Sequence, residues 1–101
     1  MDNRPNLQKL LEEIFESPNV YYQPPASVKM NYPAIVFEKA RITQQTANNK
    51  AYLRKRSYEL TVIDRKPDNP VIDKLLDLPY CSFNRHYVSD GLNHDVLTLY
   101  Y

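Results

Sequence analysis

One glycine, Gly91, serves a chain of 101 residues. Backbone turns that need a positive φ draw on glycine first, because a Cβ makes that conformation costly. A phosphate cradle or a dinucleotide fingerprint needs several glycines in close spacing, so neither is available here. The same residue fixes a turn. Ser89-Asp90-Gly91 reads as a three-residue hairpin loop with the glycine at its left-handed position.

That loop sets the register of a hairpin from Tyr80 to Tyr101. Phe83 is expected opposite Leu97, Cys81 opposite Leu99, Arg85 opposite Asp95 and His86 opposite His94. Cys81, Phe83, Leu97, Leu99 and Tyr101 then line one buried face, with Arg85 and Asp95 paired at its edge. A slip of one residue would set Leu97 and Leu99 beside Ser82 and Asn84, which disfavours it. Leu99-Tyr100-Tyr101 is expected to be sheet rather than tail, so deleting it should damage the fold.

The longest element is a charged strand, Ala51 to Asp64. Tyr58, Leu60 and Val62 share one of its faces and Ser57, Glu59 and Thr61 the other, the alternation of a sheet half covered by helix. It leads through Arg65-Lys66-Pro67-Asp68 into a short helix, capped by Asp68 or Asn69, with Pro70 at its first position and Ile72, Leu75 and Leu76 at helical spacing. Pro79 ends it. A first helix is marked by the stripe Leu7, Leu10, Leu11, Ile14 and Phe15, with Glu12, Glu13 and Glu16 on its wet side. Asn3 or Asn6 caps its start and Ser17-Pro18-Asn19 stops it.

Val20-Tyr21-Tyr22 reads as a short extended piece before Pro24-Pro25, which confine that segment to an edge or a loop. Tyr32 to Glu38 is an apolar strand near the sheet centre. Thr43 to Asn49 has no periodicity and is read as a long exposed loop between two antiparallel strands. The order is helix, strand, strand, helix, strand, strand. It predicts an α+β domain spanning 1–101, an antiparallel or mixed four-stranded sheet with two helices packed on one face.

Composition narrows the function. A chain this short builds one core. Its 13 basic against 12 acidic residues set up no global field for polyanions. A single cysteine, Cys81, excludes an internal disulfide, and no apolar run approaches the roughly 18 residues of a membrane span. The start, Met1 to Pro5, lacks the apolar region of a signal peptide, so the expectation is a soluble cytosolic protein. Nine tyrosines without a tryptophan suit contact surfaces, although some must pack in the core.

Reactive constellations are weak. His86, His94, Asp95 and Cys81 resemble metal ligands, but the expected register turns Cys81 and Asp95 away from both histidines and leaves two imidazoles at most. The same parity separates Cys81 from His86 as nucleophile and base. Asp64, Asp68 and Asp73 read as turn and cap residues rather than a carboxylate metal site. The basic cluster Lys50, Arg54, Lys55, Arg56, Arg65 and Lys66 lies at the two ends of one strand with Tyr52 and Tyr58 interleaved. It could hold single-stranded nucleic acid by phosphate pairing and stacking, or it could be a solvated strand face that discourages aggregation. No catalytic, cofactor or metal residue is assigned.

Four strings then become recognisable together: Tyr32-Pro33-Ala34-Ile35-Val36-Phe37-Glu38, Asn48-Asn49-Lys50-Ala51-Tyr52, Tyr58 to Arg65, and Gly91 to Tyr101. They resemble a family of small neck and tail proteins of siphophages and prophages of Gram-positive bacteria, described as tail completion, tail terminator or minor capsid proteins. The likeness runs from Tyr21 onward. It implies a tail-terminator-like fold, a non-enzymatic subunit of a hexameric ring in the virion neck, assembled in the host cytoplasm, with major tail protein and the head connector as partners. DNA passing through the lumen would be a passive contact. A head-completion or stopper protein beneath the portal is the alternative station. Exposure then suggests Gln44, Gln45, Asn48, Asn49, Lys50, Arg54, Lys55, Arg56, Arg65 and Lys66 as docking residues, with the basic ones facing either the lumen or a neighbour's acidic helix.

Overall fold

The computed structural model describes residues 4–47 and 51–100, and the side chains of residues 5–40 and 57–100. Helix α1 spans Arg4–Phe15, and strand β1 is Val20–Tyr22. Strands β2 (Ala34–Ala47) and β3 (Ala51–Asp64) follow, then helix α2 (Val71–Leu76) and strands β4 (Cys81–Ser89) and β5 (Leu92–Tyr100). They form one mixed five-stranded sheet of order β1-β2-β3-β5-β4. The α+β class stands, with one strand more than expected. The addition is β1, which pairs parallel to β2 with Val20 opposite Ile35. Three residues carry no readable periodicity, and the pairing is fixed by distant partners: Ile35 donates to the Asn19 carbonyl and Gln23 to the Phe37 carbonyl.

The core follows the strand alternation. Ile35, Phe37, Tyr58, Leu60, Val62, Leu97 and Leu99 occupy one parity of the sheet and cluster with Leu7 and Leu11 of α1 and Val71 and Leu75 of α2. Each fully buried leucine contributes roughly 1.5–3 kcal/mol relative to exposure. At its end α1 turns through Glu16, whose φ is 56°, and Ser17 donates to the Glu12 carbonyl. The start of α2 is held by side chains. The Asn69 Oδ1 accepts from the Val71 amide at 2.9 Å, while the Asn69 amide group donates to Asp64 at 2.8 Å. The other Asp64 oxygen accepts from the Lys66 amide, so one carboxylate organises the whole strand-to-helix turn.

Two expectations about strands need correction. The stretch read as a loop from Thr43 is strand as far as Ala47, paired in register from Ile42↔Arg56 to Ala47↔Ala51. Backbone ladder bonds hold it, and they leave no signature in side-chain periodicity. Asn48, Asn49 and Lys50 lie outside the described residues.

The last hairpin also turns differently. Ser89 pairs with Leu92, so its loop is two residues long, Asp90 and Gly91, with φ of 54° and 74°. Both positive values fit the type I′ turn whose twist matches that of the strands. A bulge between Phe83 and Arg85 inserts Asn84 and restores Phe83↔Leu97 and Cys81↔Leu99. A three-residue loop without a bulge would give the same far register, which is why those two pairings were readable. Closer to the turn the pairs change: Arg85 faces Val96, His86 faces Asp95 and Tyr87 faces His94. Leu97 and Leu99 are buried as expected, but Phe83 is 45% exposed because nothing covers the outer strand there. Tyr101 lies outside the described residues.

Candidate assembly surface

β5 pairs with β3 only from Asn93↔Asp64 to Tyr100↔Ser57. Beyond that point, among the described residues, β2 and β3 pair only with each other. Their outer parts, 42–47 and 51–56, form a two-stranded ribbon that continues past β5. A bulge inserts Ala40 into β2 between Lys39 and Arg41, where the ribbon begins. Bulges bend a strand and raise its twist, so this one re-aims the ribbon as it departs. The result is an elongated molecule, 50 × 25 × 23 Å.

Among the expected docking residues, Gln44, Gln45, Arg54, Lys55 and Arg56 fall on this ribbon, with Gln44 opposite Arg54 and Gln45 opposite Leu53. Arg65 and Lys66 do not join them. Both are exposed beyond the other end of β3, nine positions from Arg56, roughly 30 Å along an extended strand. Arg65 instead borders a hollow with Val28 to Tyr32, of about 520 Å³. The segment 41–56 holds five basic residues (Arg41, Lys50, Arg54, Lys55, Arg56) and no acidic one, which leaves eight basic against twelve acidic elsewhere. By sequence the near-neutral chain therefore divides into a segment 41–56 of +5 and a remainder of −4.

A second surface was missed in the sequence. β4 is exposed along nearly its whole length, with Phe83, Tyr87 and Val88 showing 45%, 40% and 62% of their surface. Tyr87 stacks on His94 with ring centroids 4.6 Å apart, and the Arg85 guanidinium sits 5.7 Å from the Tyr87 ring. Beside the start of β4, an apolar hollow of about 260 Å³ is lined by Leu10, Leu78, Pro79, Tyr80, Leu99 and Tyr100. The available signal was the irregular spacing of Phe83, Tyr87 and Val88; with the bulge, Phe83 and Val88 fall on one face of the sheet and Tyr87 on the other.

The bulge also overturns the parity argument about His86. His86 Nδ1 donates to Asp95 at 2.7 Å, and Asp95 is buried. Cys81 shares that sheet face after all. Four residues of β5 separate their partners, however, which is roughly 14 Å and too far for a nucleophile and its base. Burial pushes the Cys81 thiol above its ordinary pKa, the reverse of what activates a nucleophile. Asp95 also borders a hollow of about 330 Å³ with Asp68 and Asp73, whose lining holds no Ser, Thr, Cys or Tyr. Among the described residues no group of three or more His, Cys, Asp and Glu is placed to hold a metal ion. The His86–Asp95 pair thus satisfies a buried carboxylate, and the surfaces that can meet a partner are the ribbon and the β4 side. No protein-family model matches this chain, and no curated protein sequence matches it.

Proposed function

We propose that this protein is a structural virion subunit of a tailed phage, a tail terminator of tail-terminator-like fold whose ring caps the tail tube and joins it to the head connector. The resemblance of four sequence strings from Tyr32 to Tyr101 suggests the family. The observation that carries the reading is the ribbon: the two longest strands of the chain run six positions past their pairing with β5 and, among the described residues, pair there only with each other. An isolated two-stranded ribbon is marginal in water, so a segment built this way suits completion by a neighbour. The mechanism is occupancy. The ring binds the last ring of the tube as another tube subunit would and offers no equivalent site on its far side, so growth stops. Heterologous contacts that close into a ring perform this without bond-making chemistry.

Electron microscopy of purified protein mixed with growing tail tubes tests the reading. Tubes capped at one end by a ring are expected, and tubes that elongate normally would overturn it. The excess of positive charge on residues 41–56 favours one other reading, a single-stranded nucleic-acid binder. Binding that falls steeply with added salt, without tube capping, would select it.

A further inference from the structure

The sheet has two outer strands, and the chain closes the edge of only one. β1 is three residues long and runs into Pro24-Pro25, which carry no N–H. Asn19 and Gln23 bond toward β2, so Val20 between them turns its backbone outward, and those groups are used at home. The Val20 amide donates to the Pro18 carbonyl, and the Val20 carbonyl accepts from the Gln8 side chain at 2.9 Å. β4, at the opposite edge, is nine residues long and exposed. It holds no proline or lysine, the common guards of an edge, and its bulge lies near its start, so Arg85 to Ser89 is a regular strand with one side open.

The turn tells which backbone groups are open. In a two-residue hairpin loop Ser89 and Leu92 bond each other, and bonding alternates along an antiparallel pair. Tyr87 therefore also faces β5, while His86 and Val88 turn their N–H and C=O groups outward. Among the described residues those outward groups have no hydrogen-bond partner.

We infer that two copies of this chain pair through this edge, β4 against β4, antiparallel about a twofold axis at Tyr87. A free strand edge is completed by another strand, and the β1 edge of a second copy is already closed. The bulge and the turn fix the axis. Centring on Tyr87 sets His86 opposite Val88 of the second copy and Arg85 opposite Ser89, so the outward groups of both copies bond within regular strand. Centring on His86 would bring the bulge at Asn84 into the ladder, and centring on Val88 would bring in the turn at Asp90. Charge agrees with this choice. Arg85 and Asp90 lie at opposite ends of the segment, so an antiparallel partner brings the acidic end of one copy to the basic end of the other. The contact is isologous, whereas a ring closes through heterologous contacts, so it goes beyond the ring reading and does not rest on it.

Cysteine cross-linking reads the axis. In a Cys81→Ser background, Tyr87→Cys puts the two thiols on a non-hydrogen-bonded pair with Cα atoms about 4.5 Å apart, within reach of a disulfide. Ser89→Cys leaves its two copies roughly 14 Å apart. Under mild oxidation the first variant should become a covalent dimer and the second should stay monomeric. Sedimentation velocity of the unoxidised protein reads the strength of the contact. The wild-type chain is expected to dimerise, and Val88→Lys, a charge placed on the open edge, should weaken the dimer at least about tenfold. Val88 is 62% exposed, so circular dichroism should show the fold unchanged. A wild-type chain that stays monomeric, equal cross-linking at both positions, or a dimer indifferent to Val88→Lys overturns the pairing. Association without cross-linking at Tyr87 overturns it too, and would set β4 against another strand, such as the ribbon of the next copy.

Discussion

The two hairpins of the sheet each carry one bulge on their first strand, and the bulges serve opposite ends. In β4–β5 the extra residue, Asn84, brings Cys81 and Phe83 back into step with Leu99 and Leu97 after a turn one residue shorter than expected. In β2–β3 the extra residue, Ala40, marks where the strands stop being sheet and become ribbon. A bulge toward the outer end of a strand corrects register; a bulge at the sheet boundary releases a projecting element. The inner half of β2–β3 therefore belongs to the five-stranded sheet and its outer half to a two-stranded ribbon, although the backbone ladder is continuous through both.

The largest test of that contrast lies within β3. Leu60 is fully buried at the centre of the sheet, so Leu60→Ala should cost roughly 2–5 kcal/mol. Arg54→Ala, six positions away on the ribbon, should stay within about 0.5 kcal/mol. Urea unfolding reads both. Similar costs would mean that the ribbon belongs to the folding unit as much as the sheet does.

In the other hairpin the bulge creates the His86–Asp95 pair. His86→Ala strips a buried carboxylate of its Nδ1–H partner and should cost roughly 1–3 kcal/mol. A cost under about 0.5 kcal/mol, the range of ordinary surface changes, would return His86 to the solvent-facing role that the unbulged register gave it. The turn comes next. Nothing lies within 4 Å of a Cβ built on Gly91, so Gly91→Ala meets no steric contact, and its cost of about 1–2 kcal/mol should come from the backbone at φ 74° alone. A D-alanine at the same position would relieve it, and the difference in melting temperature between the two separates backbone strain from lost packing.

These tests also show where the sequence spoke clearly. Wherever burial imposes a period, the elements were readable: the α1 stripe and the alternation of Tyr58, Leu60 and Val62 were both legible from side chains. Residues 43–47 were not, because Thr43-Gln44-Gln45-Thr46-Ala47 has no apolar alternation and the strand there is read only from its backbone pairing. β1 was legible only as an extended piece, since three residues cannot announce a parallel partner. Hairpin parity failed for a related reason. A two-residue turn with a bulge and a three-residue turn without one place Leu97 and Leu99 identically, and only the polar pairs near the turn tell them apart. Of the candidate surface, the basic ribbon could be found by charge, whereas the exposed apolar residues of β4 needed its place at the edge of the sheet to be seen.

The smallest effect concerns the sheet face that the helices leave bare. There β2 and β3 set Glu38 directly opposite Glu59. Like charges across a strand pair oppose each other, and opposite charges gain about 0.2–1 kcal/mol. Glu38 is exposed, so solvent weakens the repulsion and Glu38→Lys should stabilise the fold toward the lower end of that range. Salt decides whether the cause is electrostatic: the gain in melting temperature should shrink as ionic strength rises and the Debye length falls. A gain that ignores salt would point to strand propensity instead. A loss of stability would mean that the pair of glutamates meets a positive group on this face, and a bare sheet face that prefers its negative charge would itself be a surface prepared for a basic neighbour.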